Sequence, residues 1–285
     1  MPTAIIDGIH TRFDVIGSGP PLLMMSPGGF DATIEKWRTQ GVYTRLKLLD
    51  HLPRDYSCIV YDRRESGESG GRVEPITWAH YVAHAKGLLD HLAIARAHVM
   101  GACMGCSPAM AFAVAHPDAS ASLVLYWPVG GAHYRINGHA RVAEHLDYVR
   151  RHGLHGVVSL VATDGKTYNQ DARGGFWASV IHRDPVFASE YIRHDPDQYV
   201  KVVNAIRDSL FDRDTSPGAE PEDLFRVNVP ALVVPGRDKS HATSAARYLE
   251  ECLPRAEYWD VAVDDQNEET VPPRIIEFLG RGGGA

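Results

Sequence analysis

Cysteine is scarce in this 285-residue chain: four residues, Cys58, Cys103, Cys106 and Cys252, are too few and too scattered for a disulfide framework. Cys103 and Cys106 form a lone C-x-x-C pair, which could be a redox motif or half of a zinc site. The first reading lacks a thioredoxin-like context, and the second lacks another ligand pair. No run of five or more like charges accompanies the formal net charge of -7, so no nucleic-acid footprint or membrane-seeking patch is expected. No apolar stretch approaches the roughly 20 residues needed to span a bilayer. The opening "MPTAIIDGIHTRFDVIGSG" lacks a basic region followed by a long apolar core, and a cytoplasmic location is expected. There is no internal repeat, and the one low-complexity piece is the terminal "GRGGGA", expected to fray.

What is present is alternation. Between Pro20 and Trp127, apolar runs ("PLLMMS", "YSCIVYD", "AHVMGA", "ASLVLYW") alternate with helical stretches (33–52, 77–94, 107–116). Continuous apolar strands separated by amphipathic helices predict a mostly parallel α/β sheet covered on both faces. The segment 77–92 shows the pattern: Trp78, Val82, Ala85, Leu89 and Leu92 make one stripe, leaving His80, Lys86 and Asp90 off it. From about Gly130 to Leu224 the pattern becomes consecutive helices, two of them opening at Asp184-Pro185 and Asp195-Pro196, where Asp accepts a free backbone N–H and Pro suits the first helical position. The alternation resumes with "PALVVPG", a helix at 243–253, "AEYWDVAV" and a short last helix. The expected organisation is a core of residues 1–129 and 225–285, interrupted by a helical cap at 130–224.

One corner carries chemical promise. "HVMGACMGCSPAMAF" (98–112) turns from a strand into a helix with Cys103 at the bend. A helix N-terminus lowers a thiol's pKa, and the Met104 N–H can hold a developing oxyanion. Gly101 and Gly105 suit a turn where backbones pass closely. A buried thiol filling a tight place is the bland alternative, and for Cys106, one turn on, core packing is the better reading.

On these residues the chain resembles the α/β-hydrolase family. G-x-C-x-G at 101–105 is similar to that family's G-x-S-x-G nucleophile elbow, with Cys103 in the serine's place. "SPGGFDA" (26–32) looks like the loop that supplies a second oxyanion N–H, from Gly29 or Phe30 by position. "DRRESGES" (62–69) resembles D-x-R-G-x-G-x-S with Glu65 where glycine is usual, and "VPGRDKSH" (234–241) looks like the loop carrying the acid, with Asp238 in that place. The resemblance also implies a histidine just after the last strand. Here that stretch reads "VAVDDQNEETVPP", with Asp265 or Gln266 in the expected place and no histidine after residue 241. His241 is the nearest histidine to the acid loop and the candidate displaced base. His133, His139 and His182 lie in or near the cap segment, among fifteen histidines in all.

The resemblance implies an α/β-hydrolase-fold enzyme in which Cys103 attacks a small, largely apolar carbonyl compound such as an ester, lactone or thioester. Asp238 and His241 would handle protons, and the oxyanion would sit between the Met104 N–H and that of Gly29 or Phe30. The aromatic residues Tyr134, Tyr168, Phe176, Trp177, Phe187 and Tyr191 of the cap segment favour an apolar pocket. No metal or organic cofactor is implied, and the expected partner is a small-molecule substrate. Two other classes stay open: a lyase, isomerase or decarboxylase that keeps the oxyanion pocket without the hydrolytic base, and a binding protein on a retired enzyme scaffold.

Overall fold

Alternation within single strands sorts the core of this computed structural model, which describes residues 1–281. Eight strands, β1 (Thr3–Ile6), β2 (Ile9–Ile16), β3 (Pro21–Met25), β4 (Ser57–Tyr61), β5 (Ala97–Ala102), β6 (Ser120–Tyr126), β7 (Ala231–Val234) and β8 (Ala256–Tyr258), form one sheet in the order β1-β2-β4-β3-β5-β6-β7-β8. All pairings from β4 onward are parallel, and β1 and β2 are antiparallel. Twelve helices are described: α1 (Lys36–Thr39), α2 (Tyr43–Leu46), α3 (Leu48–His51), α4 (Trp78–His91), α5 (Cys106–Ala115), α6 (Ala132–Asp164), α7 (Ala178–Arg183), α8 (Pro185–Tyr191), α9 (Pro196–Leu210), α10 (Pro221–Leu224), α11 (Thr243–Cys252) and α12 (Val271–Arg281). Leu23, Ile59, Val99, Leu123 and Val233 pack on one face against residues of α4, α5 and α11. Their neighbours Leu22, Val60, Met100, Val124 and Leu232 pack on the other, against α1 to α3 and α12.

The expected α/β sheet with helices on both faces is what forms. The stripe on α4 is buried at Trp78, Val82, Ala85 and Leu89, and Lys86 pairs outward with Asp90. Asp184 and Asp195 cap α8 and α9, accepting N–H bonds from Val186, Phe187 and Gln198.

Two local expectations need correction. Residues 33–52 are not one helix but three single turns, because the chain goes left-handed at Gly41 (φ 49) and Lys47 (φ 49). The strand read over 256–263 stops at Tyr258, after which Val261 N–H turns back to the Trp259 carbonyl. Strands β1 and β2 were unassigned from sequence, although Asp7-Gly8, both at positive φ (50 and 70), is a two-residue hairpin turn signal. At the C-terminus α12 runs to Arg281, so Gly280 and Arg281 are helical, and the rest of "GRGGGA" lies outside the described residues.

Between β6 and β7 the chain leaves the sheet for α6 to α10. Helix α6 breaks at Gly153 (φ 64, ψ 180), and a cluster including Tyr134, Trp177, Tyr191 and Tyr199 packs this insertion against Phe30, Tyr81 and Met104 of the sheet layer. Among the described residues no helix is long and apolar enough to cross a membrane.

Candidate active site

Strand β5 ends at Ala102, and the chain turns into α5 through Cys103, whose φ of 54 lies in the left-handed region. A non-glycine residue there costs about 1–2 kcal/mol and is held by its surroundings. The flanking glycines are demanded by space: a Cβ at Gly101 would lie 2.4 Å from the Gly105 carbonyl oxygen, and one at Gly105 would lie 2.2 Å from that of Met25. The bend pushes the Cys103 side chain out into a cavity of about 260 Å³, whose wall also includes Met104, Gly28, Phe30 and His241. Cys106 is buried instead, its thiol directed at the carbonyls of Gly101 (3.2 Å) and Tyr126 (3.4 Å).

His241 reaches the same cavity from the loop after β7. Its Nδ1 lies 2.9 Å from both carboxylate oxygens of Asp238, three residues earlier, and Asp238 also accepts the N–H groups of Ser240 (2.8 Å) and His241 (2.9 Å). The loop is pinned to the start of the insertion, because Gly130 N–H donates to the Ser240 carbonyl at 3.0 Å. The imidazole leans on Trp127, ring centroids 5.3 Å apart. Its Nε2 is buried with no well-aligned hydrogen bond among the described residues, and the Cys103 thiol is its neighbour.

The charges follow from this geometry. Burial raises the Cys103 pKa, but His241 and the N–H groups of Gly28 and Met104 more than reverse that, leaving it below the ordinary thiol value. Burial disfavours the His241 imidazolium, yet the Cys103 charge and Asp238 overcome it and lift the imidazole to about 10. Hydrogen bonding to His241 holds Asp238 down at about 2 against the opposing effect of burial. The geometry favours the charged forms of all three groups, a thiolate beside an imidazolium with a carboxylate behind it.

The Met104 N–H reaches the Cys103 sulfur from the start of the turn into α5. On the opposing loop, the amide that reaches the sulfur is that of Gly28 rather than Gly29 or Phe30. Gly29 and Phe30 line the cavity as wall, Phe30 stacking on Phe176 at 4.4 Å. The loop's carbonyls are held from outside: Asn169 of the insertion donates to the Gly28 carbonyl and Arg63 to that of Gly29. Arg63 is 3% exposed, and its guanidinium carbon lies 4.3 Å from the centre of the Tyr81 ring. None of these supports was singled out from sequence, since each lies more than 30 residues from the carbonyl it holds.

The position after the last strand is filled by Gln266, fully buried. Its Oε1 accepts from the Tyr126 hydroxyl and from Trp127 Nε1 (2.7 Å), and its Nε2 donates to the carbonyls of Pro235 (3.3 Å) and Val261 (3.2 Å). Asp265 is exposed. Glu65 sits at φ 66 and pairs with the buried Arg64 at 2.9 Å, away from the cavity wall. Of the other histidines named above, His133 and His182 are exposed and His139 bonds the Phe211 carbonyl (2.9 Å); none lines the cavity. Tyr134 and Tyr168 do line it, whereas Trp177 and Tyr191 pack with Tyr199 inside the insertion.

Comparison with known proteins agrees with the fold. A family model described as the alpha/beta hydrolase fold matches residues 21–167. Over 127 residues, 45% of this chain, it is 30% identical to the dihydrolipoyllysine-residue acetyltransferase component of the acetoin cleaving system of Cupriavidus necator, covering 32% of that protein. It is 23% identical over 236 residues (81% of this chain, 72% of the relative) to a 2-hydroxy-6-oxo-6-(2'-aminophenyl)hexa-2,4-dienoic acid hydrolase of Metapseudomonas resinovorans. Among solved structures, the enol-lactonase of Burkholderia xenovorans LB400 superposes with a TM-score of 0.62 at 19% identity, covering 98% of this chain and 100% of the other. Two of the curated relatives are covered over only 32% and 48% of their own length. Hydrolase names recur among these relatives, as expected for an enzyme.

Proposed function

Starting from the fact that this chain belongs to the alpha/beta hydrolase fold family, we propose that it is a cysteine-dependent hydrolase acting on a small, largely apolar acyl compound under the helical insertion, which serves as its cap. The observation that carries this reading is that Cys103 and the Asp238-bound His241 line one cavity, with the Gly28 and Met104 amides beside the sulfur.

In the proposed reaction the Cys103 thiolate attacks the acyl carbonyl carbon. An Sγ–C bond forms, and the carbonyl electron pair moves onto oxygen, where the Gly28 and Met104 N–H groups receive it. Collapse of that oxyanion breaks the bond to the leaving group, which takes the proton from the His241 imidazolium. Neutral His241 then removes a proton from water as its oxygen attacks the thioester, and Cys103 leaves again as thiolate. One water is consumed and the thiolate–imidazolium pair is restored. Asp238 fixes the imidazole through Nδ1, leaving Nε2 for the reacting atoms. A thiol suits this corner because it ionises beside the imidazole before substrate arrives, as a serine hydroxyl would not.

The test is intact-protein mass spectrometry during incubation with p-nitrophenyl butyrate. The expected result is an acyl adduct that forms and clears in the wild type and never appears in Cys103→Ala. An adduct of the same yield in Cys103→Ala overturns the reading. If product forms without an adduct and without oxygen from labelled water, the lyase alternative replaces it.

A further inference from the structure

The cavity wall contains no aspartate or glutamate, although the chain as a whole carries a net charge of -7. Apart from the Cys103–His241 pair, its one charged side chain is Arg141. Arg141 lies on the same face of α6 as Tyr134, Asn137 and Gly138, spaced three and four residues apart, so the guanidinium enters from the insertion side.

Arg141 is held but not neutralised. Its Nη2 donates to the Tyr168 carbonyl, and its guanidinium carbon lies 4.8 Å from the centre of the Tyr168 ring. These contacts fix the group while using one of its five N–H donors. Other arginines on α6 have carboxylate partners: Arg135 pairs with Asp214, and Arg150 and Arg151 pair with Asp147. Among the described residues Arg141 forms no ion pair, and neither does Arg63, whose Nε and Nη1 are buried without partners behind the Gly29 carbonyl. Arg141 thus brings a guanidinium without a carboxylate to a cavity whose remaining wall is largely apolar (Phe30, Met104, Val129 and Phe211), and Arg63 lies behind the Gly29 backbone. A guanidinium in a largely apolar wall that lacks carboxylates selects anions.

We propose that the substrate carries a carboxylate at the end remote from its reactive carbonyl, bound by the free edge of the Arg141 guanidinium while the carbonyl lies at Cys103 and the apolar wall takes the spacer between. The side-chain amides of Asn137 and Asn169 border the same space and add uncharged donors. This rests on the reading of Cys103 as nucleophile and narrows it from apolar acyl compounds to half-esters, half-thioesters or lactones that keep one free acid group. Planar, bidentate pairing of guanidinium with carboxylate supplies both strength and direction, which decides which end of such a molecule meets the sulfur.

The experiment compares two thioesters: adipic acid monothiophenyl ester, and the same compound with its free acid capped as the methyl ester. The wild type is expected to prefer the free acid by ten- to a hundred-fold in kcat/KM, on the order of one charged hydrogen-bonded contact. Arg141→Gln is expected to bring that ratio to about one, with Arg141→Lys in between. Because a ratio is read on each variant, a general loss of activity does not mimic the effect. A wild-type ratio near one, with both esters cleaved, overturns the carboxylate assignment and leaves the nucleophile standing. Independently of turnover, calorimetry on Cys103→Ala should find monomethyl adipate binding well above dimethyl adipate, with the difference removed by adding Arg141→Gln. Equal binding of the two, or none, overturns the assignment. Cleavage that persists in Cys103→Ala overturns Cys103 as nucleophile, and the calorimetric difference between the two adipates then decides the Arg141 assignment by itself.

Discussion

In the loop after β7, residues 235–241, an aspartate and a histidine three apart face each other and a thiol; in the turn after β8, residues 261–267, the buried polar residue is a glutamine bonded only to scaffold. Both places lie at the carboxyl end of the sheet, and the resemblance to the hydrolase family puts a histidine in the second. Gln266 spends its whole hydrogen-bonding capacity, two donors and two acceptor positions, on Tyr126, Trp127, Pro235 and Val261. His241 instead keeps Nε2 unspent and faces the sulfur. A neutral amide tolerates complete burial, whereas a buried imidazole that carries charge needs a counter-ion, and Asp238 supplies it with its own side chain 51% exposed. Trp127 joins the two regions, its indole N–H on Gln266 and its ring against His241.

The sharpest break of that contrast is on the loop side. His241→Asn is expected to lower kcat for an acyl ester by about 10²- to 10⁴-fold, the usual worth of a positioned acid–base group, read by steady-state hydrolysis of p-nitrophenyl butyrate. A loss of less than ten-fold would remove His241 from the chemistry. Moving the histidine back in sequence should not repair the damage: His241→Asn with Gln266→His is expected to stay as slow as His241→Asn alone, because Trp127 stands between that position and the loop. Recovery of activity would mean that the two regions are interchangeable.

The next effect is in pH. Thiolate rises with pH through the Cys103 pKa, which His241 and the surrounding amides lower. Iodoacetamide labelling of Cys103, followed by mass spectrometry, should therefore have its midpoint below the ordinary thiol value of about 8.5. His241→Asn should move that midpoint upward, since only the Gly28 and Met104 amides are then left to oppose burial. For stability the signs are opposite at the two ends of the pair. His241, raised to about 10, contributes fully below the ordinary imidazole range, and its contribution is lost as pH rises through about 10. Asp238, lowered to about 2, contributes above the ordinary carboxylate range, and its contribution is lost as pH falls through about 2. A labelling midpoint unchanged by His241→Asn would dissolve the ion pair on which the contrast rests.

How much of this was readable in the sequence follows from how local each cause is. The parallel strands were legible because a strand buried on both faces is a continuous apolar run, and "AHVMGA" and "SASLVLY" are buried almost throughout. The bend at Cys103 was legible because Gly101 and Gly105 lie beside it. His241 stood out only by its nearness to Asp238; its approach to Cys103 comes from β5 and β7 lying two strands apart in the sheet. Contacts between distant segments were not legible: Gly28 held by Asn169, Gly29 held by Arg63, and Arg141 turned toward the cavity. Glu65, which stands where glycine is usual, forms a buried pair with Arg64, itself bonded to Glu74, a contact that the sequence does not announce. Nothing in the string of residues separates these cases, because each depends on what folding brings opposite.

The smallest effect on chemistry should come from the turn side, and it separates scaffold from site most cleanly. Gln266→Leu leaves the Tyr126 hydroxyl, Trp127 Nε1 and two carbonyls without their partner in a fully buried place. Each buried group left unpaired costs about 1–3 kcal/mol, and relaxation prevents the costs from adding in full, so a total loss of about 2–4 kcal/mol is expected in urea unfolding. Activity should fall less than ten-fold, through a loosened Trp127 rather than a lost proton carrier. Gln266→Glu sharpens the point, since it keeps the shape but turns two donors into acceptors that face the Pro235 and Val261 carbonyls. Its carboxyl must stay protonated to fit, so its folded pKa lies above the unfolded value of about 4.3, and stability must fall as pH rises from about 5 to about 8. Stability that instead rose over that interval would show that the turn after β8 tolerates a charge, and the reason for keeping one only in the loop after β7 would be gone.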